Sequence, residues 1–160
     1  LVVIDQETAL TYAQKLENED NGEILASVSS IYAQSGDAKY MPFFEKNFSA
    51  IDGYDALNFI ESYQMLAAET DFATAMGAME NLRKMATNMD QSLWRRFGAT
   101  RSLNQMRNYY NDLAKEESDE ARKATLKQNV EKISKMIEDI KKVETNDQLQ
   151  SLYSQLILQD

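Results

Sequence analysis

The sequence predicts an all-α fold, and three observations carry that prediction. One proline and five glycines in 160 residues fall below the average usage of about 5% and 7%, and proline is the residue a helix interior tolerates least. Apolar residues recur three and four positions apart rather than alternating. The gaps between these stripes are short and rich in Asp, Asn, Gly and Ser, the residues that cap helices and turn chains.

Asp5 is placed to cap a first helix whose stripe is Ala9, Tyr12, Ala13 and Leu16, and the run from Asn18 to Gly22 ends it. Ile24, Leu25, Val28, Ile31 and Tyr32 form the second stripe. Gly36 suits the left-handed position after that helix, and Asp37 is placed to cap the next one. Tyr40, Phe43, Phe44 and Phe48 mark this third helix, with Pro42 tolerated in its first turn. Asp52-Gly53 breaks the chain before a fourth stripe at Leu57, Ile60, Tyr63, Gln64 and Ala67. Thr70 or Asp71 caps a fifth helix through Phe72, Ala75, Met76, Met79, Leu82, Arg83 and Met85, and Asp90 opens a sixth carrying Leu93, Trp94, Phe97, Leu103, Met106, Tyr110 and Leu113.

Residues 115–144 are dense in Lys and Glu, with Leu126, Val130, Ile133, Ile137 and Ile140 at alternating steps of four and three. That spacing is a coiled-coil seam, and it predicts a long hairpin with the sixth helix, turning near Glu117-Ser118-Asp119. Thr145 and Gln148 form a capping-box pattern for a closing helix through Leu149, Leu152, Tyr153 and Leu156.

Short connections set successive helices antiparallel and adjacent. The expected architecture is a HEAT/armadillo-like array of antiparallel helix pairs, the first two over roughly 5–34 and 37–67, ending in the long hairpin. All 160 residues are expected in one helical domain: the array over 1–114, the long amphipathic helix and closing helix over 115–160.

Charge and composition exclude several functions. Seventeen basic against twenty-six acidic residues give a formal charge of −9. A nucleic-acid binder needs a basic face, and an anionic membrane repels such a chain. No apolar run approaches the roughly 18–20 residues of a membrane span, so neither nucleic acid nor membrane insertion is expected. The opening Leu1–Ile4 is too short for a signal peptide and lacks its basic flank. The chain starts without Met and reads as part of a longer polypeptide.

There is no histidine and no cysteine. This removes disulfides, thiolate nucleophiles and the usual zinc ligands, and it leaves the serines at 27, 29 and 30 without an activating base. Carboxylates alone suit harder ions than zinc. Glu17, Glu19 and Asp20 share a turn, whose plainer reading is a solvated acidic surface. No catalytic residue and no resident metal or cofactor are therefore expected in this segment.

Three features remain. Gly77-Ala78-Met79-Glu80-Asn81 spells the exopeptidase signature of the zinc aminopeptidases related to membrane alanyl aminopeptidase. In that family the stretch runs extended beside the substrate and its glutamate binds the α-ammonium. Here the flanks are helix formers with no β-branched run, so the pentapeptide reads as a helical look-alike without that role. Glu80 would then pair with Lys84 one turn on, and Gly77 would mark a close helix crossing. Trp94-Arg95-Arg96-Phe97 reads first as core aromatics with snorkelling or paired arginines. The sharper reading of Arg95 and Arg96, with Tyr109 and Tyr110, is a surface that contacts another domain or a peptide carboxylate. Asn47-Phe48-Ser49 matches a glycosylation acceptor, but it falls within a predicted helix.

The run Asp5-Gln6-Glu7-Thr8-Ala9-Leu10, then Tyr12-Ala13, Leu16-Glu17-Asn18-Glu19, Gly22-Glu23-Ile24-Leu25 and Ile31-Tyr32-Ala33-Gln34-Ser35-Gly36-Asp37, resembles the C-terminal helical region of bacterial zinc aminopeptidases of peptidase family M-one. Ile137-Glu138-Asp139-Ile140-Lys141-Lys142 with Gln148-Leu149-Gln150 resembles the end of the same proteins. The resemblance implies a HEAT-like array that packs on the catalytic domain of the same polypeptide and shapes access of peptide substrate to its cleft. It implies that zinc is held upstream, that 77–81 is not the working copy of the motif, and that the parent is periplasmic or secreted. The alternative is a free-standing helical scaffold that binds a peptide or partner protein.

Overall fold

The computed structural model describes residues 5–143. Leu1–Ile4 and the predicted closing helix lie outside the described residues. Among those described, the chain forms seven α-helices and two short 3-10 turns, and no strand. It divides into two compact units, Leu1–Ala75 and Met76–Asp160. The division falls near residue 75 rather than at 114, since the sixth and seventh helices pack on each other and belong to one unit.

In the first unit, helix α1 spans Gln6–Leu16, α2 Gly22–Ser35, α3 Met41–Asn47 and α4 Gly53–Ala68. Capping sets these bounds. Asp5 accepts the Thr8 amide at 2.8 Å, and Asn21 accepts the amides of Glu23 and Ile24 at 2.9 and 3.1 Å. Each bond satisfies a donor the helix start leaves over. Gly36 ends α2 at φ 67°, where a Cβ would be strained. Asp37 then accepts the Lys39 amide and starts the 3-10 turn Ala38–Tyr40, which runs straight into α3 with Pro42 in its first turn. The third helix is thus one residue shorter than its stripe at each end, flanked by 3-10 turns on both sides.

Helix α1 packs on α2, α3 packs on α4, and α2 packs on α4. The core is built of rings. Tyr32 stacks on Tyr40 with centroids 4.0 Å apart, Phe43 meets Tyr32 edge-on at 5.0 Å, and Phe44 touches Phe59 at 5.1 Å and Tyr63 at 5.6 Å. Phe48 closes the set against Tyr63 at 4.9 Å. Each fully buried ring contributes about 1.5–3 kcal/mol from transfer alone, with edge and offset contacts adding to it. Ala13 takes the inward place on α1 while Tyr12 stands 63% exposed, against the expected stripe.

The second unit holds most of α5 (Phe72–Thr87) with α6 (Leu93–Glu116) and α7 (Glu120–Val143). Asp71 caps α5 through the Thr74 amide at 2.8 Å. The cap of α6 is Ser92, whose hydroxyl accepts the Arg95 amide at 3.3 Å, and not Asp90. Helices α6 and α7 fold back on each other across residues 117–119, as the seam predicts. Leu103, Met106, Leu126, Ile133, Ile137 and Ile140 are buried, but the inward position between 126 and 133 is taken by Asn129, with Val130 only half-buried.

Candidate functional site

The pentapeptide lies inside α5. Ala78 and Met79 are buried, Gly77 faces outward, and the backbone is helical throughout. A helical backbone has already used its N–H and C=O groups, so it offers a peptide no strand edge. Glu80 is tied to Arg83, whose Nε lies 3.0 and 2.9 Å from the two carboxylate oxygens while Nη2 closes the fork. Arg83 rather than Lys84 is the partner, because a guanidinium one turn on can grip both oxygens. That grip holds the Glu80 carboxyl below the usual carboxylate range. A Cβ on Gly77 would meet nothing within 4 Å, so no close helix crossing explains this glycine.

The four residues read as a contact surface separate by burial. Arg96 is 3% exposed and lies in the core of its own unit, with Nε donating to the Ala86 carbonyl at 3.4 Å. Tyr110 is 2% exposed, and burial pushes its phenol up to about 12. Arg95 and Tyr109 reach the surface, with Arg95 Nη1 donating to Gln91 at 3.2 Å and Tyr109 stacked on Tyr110 at 5.9 Å. Of the predicted aromatic pair, Phe97 is core and Trp94 is on the surface. The four therefore do not form one face.

A groove that sequence reasoning missed runs along the first unit. Gln14, Glu17 and Asn18 at the end of α1 form one wall. Lys39, Tyr40, Pro42, Phe43, Lys46 and Asn47 form the other, around a space of about 630 Å³. That volume is typical of ligand clefts. The second wall was legible as a pattern: Lys39, Pro42, Phe43, Lys46 and Asn47 sit at i, i+3, i+4, i+7 and i+8, one face of a helical run.

Tertiary contacts fix this groove. Tyr40 is held flat by the ring of Tyr32, and its hydroxyl lies 3.5 Å from Gln14 Nε2. The Tyr32 hydroxyl donates to Glu17 Oε2 at 2.5 Å, and burial with this acceptor raises its pKa. Lys39 lies 5.1 Å from the Tyr40 centroid, over the ring face. Asn47 donates its amide to the Phe43 carbonyl at 2.7 Å, which ties up the group a glycan would need. A second groove between α2 and α4 is lined by Glu23, Asp55 and Glu61 with Ser27, Asn58 and Met65, and is acidic.

Among the described residues, no set of three or more acidic side chains is placed to hold a metal ion, the 17–20 turn included. No helix among them is long and apolar enough to cross a membrane. Among the described residues, the fold and its surface define an all-α protein of packed helices with a groove between α1 and α3. No protein-family model matches the chain, and comparisons with curated proteins and with solved structures find no match.

Proposed function

We propose that this chain is a non-catalytic, HEAT-like C-terminal domain of a zinc aminopeptidase of peptidase family M-one. In this reading it packs on the catalytic domain of the same polypeptide and shapes access to the active-site cleft. The observation that carries it is the paired-helix build of α1 and α2 over residues 5–37, the stretch whose sequence resembles that family's C-terminal region. A chain without histidine or cysteine supplies none of that family's zinc-binding histidines, so the zinc would belong to the parent's catalytic domain. Arg95 and Tyr109 are the surface residues of the second unit suited to an interdomain contact, an arginine fork near the start of α6 and an amphipathic ring in its second half.

The test is aminopeptidase activity on alanyl and leucyl amides, measured on the full polypeptide with zinc, with and without this segment. Zinc-dependent activity is expected, with a changed preference for substrate length once the segment is deleted. An inactive full polypeptide would overturn the reading. The groove between α1 and α3 favours a second one, a free-standing helical scaffold that binds a peptide.

A further inference from the structure

The first unit has three lysines and no arginine against thirteen acidic residues, a balance of −10. Two of those three cations, Lys39 and Lys46, line the groove between α1 and α3. Both are exposed. Lys39 stands over the face of the Tyr40 ring and shares a solvent-exposed ion pair with Asp37, at 3.6 Å, and such exposed pairs are given up at little cost. Among the described residues, Lys46 has no ion-pair partner. Between the two lysines, Pro42 and Phe43 line the groove together with the ring of Tyr40, which Tyr32 holds by stacking. The single carboxylate of the groove, Glu17, is engaged by the Tyr32 hydroxyl.

We infer that this groove is a docking site for an acidic peptide segment of a partner protein, with two carboxylates flanking an apolar side chain. The seven helical steps from Lys39 to Lys46 span roughly 10–12 Å at about 1.5 Å each, slightly more over the 3-10 turn. A peptide in the polyproline II form advances about 3.1 Å per residue with three residues per turn, so carboxylates three residues apart lie on one side and match the two ammonium groups. The apolar residue between them would lie on Pro42 and Phe43, while the side-chain amides of Gln14 and Asn18 face the peptide backbone. On a surface otherwise acidic, a basic peptide is drawn elsewhere and an acidic one is drawn here. This site stands independently of the peptidase reading.

The experiment is fluorescence anisotropy of the full chain with a labelled Gly-Glu-Phe-Ala-Glu-Gly peptide and its glutamine counterpart. Saturable binding of the acidic peptide is expected, weakened by added salt. The double variant Lys39→Glu, Lys46→Glu should weaken it by about tenfold or more, since two ion pairs become two repulsions. Lys15→Glu makes the same kind of charge change outside this groove and should have a much smaller effect. Circular dichroism on each variant checks that these exposed substitutions leave the helices intact. Equal binding of the glutamine peptide, an equal loss in Lys15→Glu, or no saturable binding by the parent chain would each overturn the inference. An inactive full-length peptidase would leave it standing.

Discussion

The two units solve the same problem, burying helix stripes, with different materials. The first is closed by seven rings in mutual contact, Tyr32, Tyr40, Phe43, Phe44, Phe48, Phe59 and Tyr63, and its charge balance is −10. The second carries fourteen basic and thirteen acidic residues, a balance of +1. Its core is mostly Leu, Ile, Met and Ala, and it buries Arg96, Thr100, Ser102 and Asn129 among them. Rings bring large area with few rotatable bonds and so hold the short helix α3 in place. The 24-residue helices α6 and α7 have seam enough to include polar residues, which cost stability and favour one register. The groove belongs to the first unit for the same reason: stacked rings give a fixed floor.

The comparison breaks most sharply at Phe44, which is fully buried and touches three other rings. Phe44→Ala is expected to cost about 3–5 kcal/mol, read by urea unfolding. Tyrosine near-ultraviolet dichroism follows mainly the first unit, while Trp94, the single tryptophan, follows the second. Loss of the first signal alone would show that the units unfold separately; coincident shifts would show one cooperative block.

Asn129 tests the second unit. Its side-chain nitrogen is buried with no hydrogen-bond partner. Replacing such a group by an apolar one removes a penalty of about 1–3 kcal/mol, so Asn129→Leu should raise the urea midpoint. A lowered midpoint would mean that the amide has a role the helix seam does not reveal. Smaller effects of opposite sign are expected at two glycines. Gly36→Ala should destabilise the first unit by about 1 kcal/mol, because φ is 67°. Gly77→Ala should stabilise α5 by about 0.5–1 kcal/mol, because the position is helical and open.

The smallest effect is at Glu80. Its carboxyl pKa is lowered in the folded state by Arg83, so its contribution is present above its ordinary value of 4.5 and fades as pH falls through the lowered one. The pair is partly exposed, and Glu80→Gln should cost a few tenths of a kcal/mol near neutrality and nothing in strong acid. A pH series of thermal melts reads it, and a difference that grew in acid would refute the assignment.

Much of the helix order was legible because capping is local. Asp5, Gly36, Asp37 and Asp71 act where the sequence places them, each through a bond to a backbone group within three residues. Asp90 failed as a cap because Ser92 stands two residues closer to the helix, and both types suit the position. The Gly77–Asn81 helix was legible from propensity, but its ion pair was not, since Arg83 and Lys84 both lie within reach of Glu80. The four predicted contact residues separated because neighbours on one helix at i and i+1 point about 100° apart.

The sequence by itself determined that this chain is helical, where most helices begin and end, and that residues 117–119 turn a hairpin. Local hydrogen bonds and the 3.6-residue period suffice for that. Only the tertiary structure decided which residues face inward where the period leaves a tie. On α7, Asn129 and Val130 lie about 50° to either side of the stripe through Leu126, Ile133, Ile137 and Ile140. Hydrophobicity favours the valine, yet packing against α6 buries the asparagine. On α1 the same near-tie turned Ala13 inward and Tyr12 outward. The groove is likewise a tertiary product, because Gln14 reaches the Tyr40 hydroxyl only once α1 and the turn before α3 are folded together.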